Sequence, residues 1–186
     1  MDMFSILKLP FSKQSWRELQ ARNIPIANLA WLLVVPMSFL PPVMLFYAGT
    51  HFGNDYFPSF AGRNWHFITT VLFLAELLTF FVMGWLIYAV LNKQGISIDY
   101  QRSYLLAAIA PLPMWLSSLV LFVPFILFNA LGVTVGLWLS SMLIYTGVNA
   151  LCGREDNDLV SMTATYTVIA AAMVAWLVLM LIVWFY

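Results

Sequence analysis

An all-α, polytopic transmembrane bundle of five spans is the fold this sequence predicts, and three observations predict it. Hydrophobic residues fill 63% of the 186 positions and charged ones 9%, with a mean hydropathy of +0.90. Soluble domains hold about 45–50% apolar and about 25% charged residues, so a water-facing surface cannot be built from this composition. Five stretches reach the roughly 20 apolar residues that cross about 30 Å of hydrocarbon. Proline also falls inside two of them, which breaks the first and third helices.

Residues 1–26 are polar and carry Pro10 and Pro25. No small-residue cleavage site follows a short apolar core, so the segment reads as a cytoplasmic leader and not as a cleaved signal. Within it, KQSWRELQARNIP predicts a short helix. Ser15 and Glu18 have capping-box spacing, Pro25 stops the helix, and Trp16 and Leu19 share one side. With Arg17 and Arg22 on other sides, Trp16, Arg17 and Arg22 are expected at the membrane surface, the helix resting on anionic headgroups. A docking surface for a cytosolic partner is the alternative.

The transmembrane domain, residues 27–186, is expected to place spans at about 27–48, 66–91, 103–123, 131–151 and 160–185. Read without a break, 103–151 would be more than two spans long. It must be a hairpin, its turn supplied by Pro124 and Asn129. Putting the N-terminus inside gathers Lys8, Lys13, Arg17, Arg22, Lys93, Arg102 and Arg154 in the cytoplasm and leaves Arg63 outside. That bias predicts a bacterial inner-membrane protein with a cytoplasmic N-terminus and, after five spans, an external C-terminus at Tyr186.

Glu76 is the one ionisable residue deep inside a span, 10 residues from His66 and 15 from Leu91. An acid at that depth costs about 3 kcal/mol on insertion scales, which the surrounding Leu, Ile, Phe and Val offset. At 100° per residue, Thr69, Glu76, Thr79 and Met83 share a face. Ser117, Ser118, Thr134 and Trp176 lie at similar depth on other spans. Pro111 and Pro113 remove two amide donors and free the carbonyls of Ala107 and Ile109, while Pro36, Pro41 and Pro42 repeat the device in the first span. Broken helices of this kind build mid-membrane sites in transporters. Glu76, Thr79, Pro111, Pro113, Ser117 and Ser118 are therefore the candidate intramembrane polar site. The plainer reading of Glu76 is a protonated acid donating to a freed carbonyl or a serine; the functional ones are an acid that handles a proton or cation and a contact to a lipid or partner.

Gly132, Gly136 and Ser140 form a small-residue row in the fourth span that lets two backbones approach closely. Ala164, Ala171 and Ala175 in the fifth span offer a matching surface, so packing of the fourth helix on the fifth is expected ahead of homo-oligomerisation. Outside, His51, Asp55 and His66 match no metal-ligand spacing and read as residues of an aromatic loop. Inside, CGREDNDL reads as helix punctuation, with Gly153 ending one helix and Glu155, Asp156 and Asp158 preceding the next. One cysteine, Cys152, allows no internal disulfide. A net charge of zero argues against nucleic acid. No hydrolase, zincin, P-loop or dinucleotide signature occurs, so neither catalytic residues nor a cofactor or metal is expected.

Two long segments also carry a resemblance. IDYQRSYLLAAIAPLPMWLSSLVLFVPF has Ala107, Ala108, Pro111, Trp115 and Leu116 after a polar approach, with Pro124 closing the span. GLWLSSMLIYTGVNALCGREDNDLVSMTATYTVI has Tyr145 and Gly147, then Glu155, Asp156 and Tyr166. With Pro10, Trp16 and Pro36 upstream, the chain resembles the bacterial branch of the YIP family (Ypt/Rab-interacting membrane proteins) over nearly its full length. The resemblance implies five transmembrane helices, a cytoplasmic N-terminus and no known catalytic residues. Eukaryotic relatives are linked to small GTPases and vesicle transport, and bacterial ones have no agreed molecular activity.

Two function classes follow. The leading one is a non-enzymatic membrane organiser or adaptor that binds lipids or a membrane or cytosolic protein partner. The other is a small permease or channel subunit that uses Glu76 at the proline-broken site.

Overall fold

A computed structural model of the chain describes residues 9–60, 62–153 and 158–185; Lys8, Arg154, Glu155, Asp156 and Tyr186 lie outside them. Five helices are long and apolar enough to cross a membrane: Ile26–Tyr56, Trp65–Lys93, Tyr100–Phe122, Ile126–Cys152 and Leu159–Phe185. They form an all-α, polytopic bundle, with no strand among the described residues. Much of its outer surface is large apolar side chains such as Trp31, Leu78, Trp85, Trp138 and Phe185, all more than half exposed, which suits lipid as the surrounding solvent. The core draws on the leader and all five spans, around Trp16, Val34, Leu91, Leu106, Val148 and Val168.

The first span runs further than expected, to Tyr56, so Thr50–Tyr56 are helix and not loop. Gly49 permits the close approach of the next span: a Cβ there would run into the Trp65 indole, whereas one on Gly53 would meet the Phe60 carbonyl oxygen at 3.5 Å, an ordinary contact. A π turn at Ala30–Val34 precedes Pro36, a local widening that accommodates a proline in the ladder. Pro41 and Pro42 begin the segment Leu40–Tyr56, where a missing N–H costs little.

The third span is the broken one. Its first part, Tyr100–Ile109, opens on an Asp99 cap whose Oδ1 accepts from Arg102 N at 2.8 Å, and it ends at Pro111. Leu112–Ser117 follows, then a 3-10 turn at Ser118–Phe122. Pro124 makes the turn to the fourth span, but Asn129 does not share in it. The helix already starts at Ile126, and Asn129 is buried in it, donating from Nδ2 to the Tyr56 hydroxyl at 2.7 Å. Tyr56 in turn donates to the Val123 carbonyl at 3.2 Å, tying the hairpin to the end of the first span. At the other end of the bundle Gly153 closes the fourth helix at φ +62, donating to Asn149 O at 3.3 Å, as its place after the apolar run predicts.

The leader departs from its expected place. Its helix spans Lys13–Gln20, and its N-cap is Ser12, whose hydroxyl accepts from Ser15 N at 3.2 Å. Ser15 is therefore inside the helix, and Glu18 instead accepts from Gln14 Nε2 at 3.2 Å. The helix stops before Pro25, where Asn23 takes φ +45. Trp16 does not rest on headgroups: it is fully buried. Its Nε1 donates to Thr146 Oγ1 at 3.0 Å, and that hydroxyl donates to Leu9 O at 3.1 Å. An indole N–H in hydrocarbon needs an acceptor, and the fourth span supplies one beside Gly147, where no side chain blocks the ring. Arg17 and Arg22 stay exposed.

The small-residue row also finds a different partner. A Cβ on Gly132 would lie 2.5 Å from Val120 Cγ1, and one on Gly136 would lie 2.8 Å from Ser117 Cβ and 3.0 Å from the Pro113 carbonyl. The row thus packs against the third span and not the fifth. A hairpin holds these two spans side by side, and the proline break presents the Pro113 carbonyl to Gly136. The fifth span joins the fourth nearer the leader, where Ser161 Oγ donates to Asn149 Oδ1 at 2.9 Å and Ala164 and Val168 are fully buried.

Candidate functional site: an intramembrane cavity

The five spans do not close completely. Between them lies a cavity of about 300 Å³ whose wall is almost wholly apolar, drawn from every span: Pro41 and Leu45 from the first, Glu76 from the second, Trp115 from the third, Leu137 from the fourth and Trp176 from the fifth. The broken third helix helps create it. The helix is interrupted at Ala110 and Pro111 and restarts at Leu112, and Ala110, Pro111, Met114 and Trp115 all line the cavity.

Glu76 stands in the wall, midway along its helix and 7% exposed. The Trp115 indole lies beside its carboxyl. The carboxyl oxygen Oε2 has no hydrogen-bond partner. The expected donation to a freed carbonyl or a serine is therefore not the arrangement found. The restart after Pro111 puts an indole, and not a bare carbonyl, beside the acid. Ser140 Oγ, on the fourth span, is likewise buried and unpartnered, and it lines the same cavity. Two unmet polar atoms in one apolar chamber are costly.

The remaining hydroxyls of the wall are satisfied locally. Ser117 donates to Met114 O at 2.7 Å, Ser118 to Trp115 O at 2.6 Å and Thr79 to Ala75 O at 2.8 Å. Each such hydroxyl has spent its only proton on its own helix and keeps acceptor capacity.

Of the residues expected at a polar site, the structure brings Glu76, Thr79, Pro111, Ser117 and Ser118 to this cavity, with Met83 and Trp176. Pro113 lies outside the wall and presents its carbonyl to Gly136. Thr69 is buried but turned from the cavity, donating to Trp65 O at 2.7 Å, and Thr134 faces outward. The sequence reading missed Trp115 and Ser140 as members of the site. Ser140 continues the glycine row one turn past Gly136, which packs on Ser117; that row was the one signal available, whereas nothing local marks the direction of Trp115.

On the far side of the bundle from the leader, the two histidines sit among rings: His51 stacks on Tyr47 with centroids 4.4 Å apart, and His66 lies 4.6 Å from Phe46. Arg63 donates from Nη1 to Val183 O at 2.8 Å while its guanidinium covers the Phe60 ring at 4.6 Å.

A family model described as the Yip1 domain matches residues 4–180. No curated protein and no solved structure matches the chain.

Proposed function

This chain belongs to the Yip1 family, and on that premise we propose that it is a non-enzymatic organiser of the bacterial inner membrane, working by holding a lipid-like apolar molecule between its spans. The observation that carries this reading is the cavity of about 300 Å³, apolar in its walls and provided with Glu76 and Ser140 as unpartnered polar atoms. Its volume is at the lower end of ligand pockets, about 300–1,000 Å³, and its mixture of apolar wall and few polar groups is that of a binding site. No histidine or cysteine lines it, so the wall offers neither an imidazole base nor a thiol nucleophile. A cytosolic adaptor role is left to the Arg17 and Arg22 side of the leader, because its Trp16 side is committed to the fourth span. In this reading the leader and the Lys93–Arg102 turn face the cytoplasm, where basic residues gather.

The permease reading rests on the same unpartnered acid, and one comparison separates the two. Mass spectrometry of the chain purified in mild detergent is expected to show a bound apolar molecule that is lost in Glu76→Leu and kept in Glu76→Gln. Proteoliposomes of wild type are expected to leak protons and cations at the rate of empty liposomes. Flux in wild type that Glu76→Gln abolishes would overturn the proposal in favour of transport.

A further inference from the structure

We infer that the ligand of this cavity is an amphiphile whose polar end is an uncharged hydroxyl, and not a phospholipid; the inference rests on the lipid-holding reading above.

The wall gives the apolar tail. On the second span it runs from Leu72 to Ile87, a rise of about 22 Å at 1.5 Å per residue. Four methionines, Met83, Met114, Met173 and Met180, stand in the wall, and their flexible thioethers fit an irregular chain more readily than branched side chains would.

The polar atoms give the head. No lysine, arginine or histidine lines the cavity, so a phosphate or carboxylate head would be buried with no counter-charge, beside an acid. Acceptor capacity is in excess. Glu76 Oε2 and Ser140 Oγ have no partner, and Thr79, Ser117 and Ser118 have given their protons to their own helices. A hydroxyl can donate to Glu76 Oε2 or accept from Ser140 Oγ, so it can meet either orphan atom.

The test uses the full chain in phosphatidylcholine nanodiscs, with dodecan-1-ol, dodecyl phosphate and dodecylammonium as isotope-labelled probes and native mass spectrometry as the readout. Dodecan-1-ol is expected to bind one per chain and at least tenfold more tightly than either charged probe. Ser140→Ala and Glu76→Leu should each weaken it about tenfold, Glu76→Gln less than threefold, and Ala175→Phe, which fills the chamber, should abolish it. Leu177→Ala on the exposed side of the fifth span should bind as wild type. A thermal melt of every variant separates lost binding from lost fold, and Ser140→Ala alone suffices if the larger changes do not fold. Tighter binding of either charged probe overturns the inference. Phosphatidylcholine held in the chamber overturns it while leaving the lipid-holding reading intact. A folded wild type that takes up none of the three probes and no phosphatidylcholine overturns both.

Discussion

Trp16→Ala is expected to release the leader from the bundle without unfolding the spans. Trp16 is fully buried, donates to Thr146 at 3.0 Å and lies where a Cβ on Gly147 would be 3.2 Å from its ring. Truncating a buried aromatic to alanine costs about 3–5 kcal/mol, of which the indole hydrogen bond supplies about 1 kcal/mol. The leader helix has eight residues, well short of the roughly 12–15 at which an isolated helix becomes marginal. Undocked, it unravels and exposes the Arg17 and Arg22 peptide bonds to trypsin. At about 1.4 kcal/mol per tenfold, a loss of 3 kcal/mol raises the undocked population about 150-fold, and cleavage follows that population when reclosing outpaces the protease. Trp16→Phe keeps most of the packing and loses the bond, so its cleavage should rise only about fivefold, from about 1 kcal/mol. The assay is limited trypsin digestion in detergent micelles, with cleavage at residues 17 and 22 followed by mass spectrometry. Wild-type cleavage rates in Trp16→Ala, with the spans still folded, would refute the claim that this side chain anchors the leader.

Gly136→Ala is expected to destabilise the hairpin by about 1–3 kcal/mol, because the new methyl would be 3.0 Å from a backbone carbonyl, at Pro113, that cannot rotate away. The thermal midpoint in detergent should fall, while Thr134→Ala, on the exposed side of the same helix, should stay within about 0.5 kcal/mol of wild type. Arg63→Ala removes the donor to Val183 O and the cation over Phe60, costing about 1–2 kcal/mol. Faster amide exchange confined to the last turns of the fifth span and the Phe60 loop is the expected result. For orientation, in a Cys152→Ser background, cysteines placed at Asn23 and Gln94 should resist a membrane-impermeant maleimide in whole cells, and one at Asn54 should react. Labelling of all three, or of none, would count against the proposed topology.

The composition by itself determined the solvent and the class of fold. With 63% apolar residues in stretches of span length, backbone polar groups can be satisfied only inside helices, and an all-α polytopic bundle follows without any knowledge of contacts. The prolines told where helices must yield, and the depth of Glu76 along its span marked a place where an acid needs company. Gly153 ended its helix because a left-handed residue after a long apolar run is a local matter.

What only the tertiary structure decided is direction. The row of Gly132, Gly136 and Ser140 announces a close neighbour but not which one. The hairpin brought the third span there, not the fifth. Trp16 has the same sequence signature whether it floats on headgroups or plugs a bundle, and the choice fell to a hydroxyl 130 residues away at Thr146. Trp115 stands beside Glu76 on a helix that restarts after Pro111, a neighbourhood that no periodicity encodes. In lipid every span has apolar faces to offer on all sides, so hydrophobicity cannot say which face turns inward. Close approach at glycines, unmet hydrogen-bonding groups and the geometry of helix breaks settle it instead, and these are properties of several segments at once.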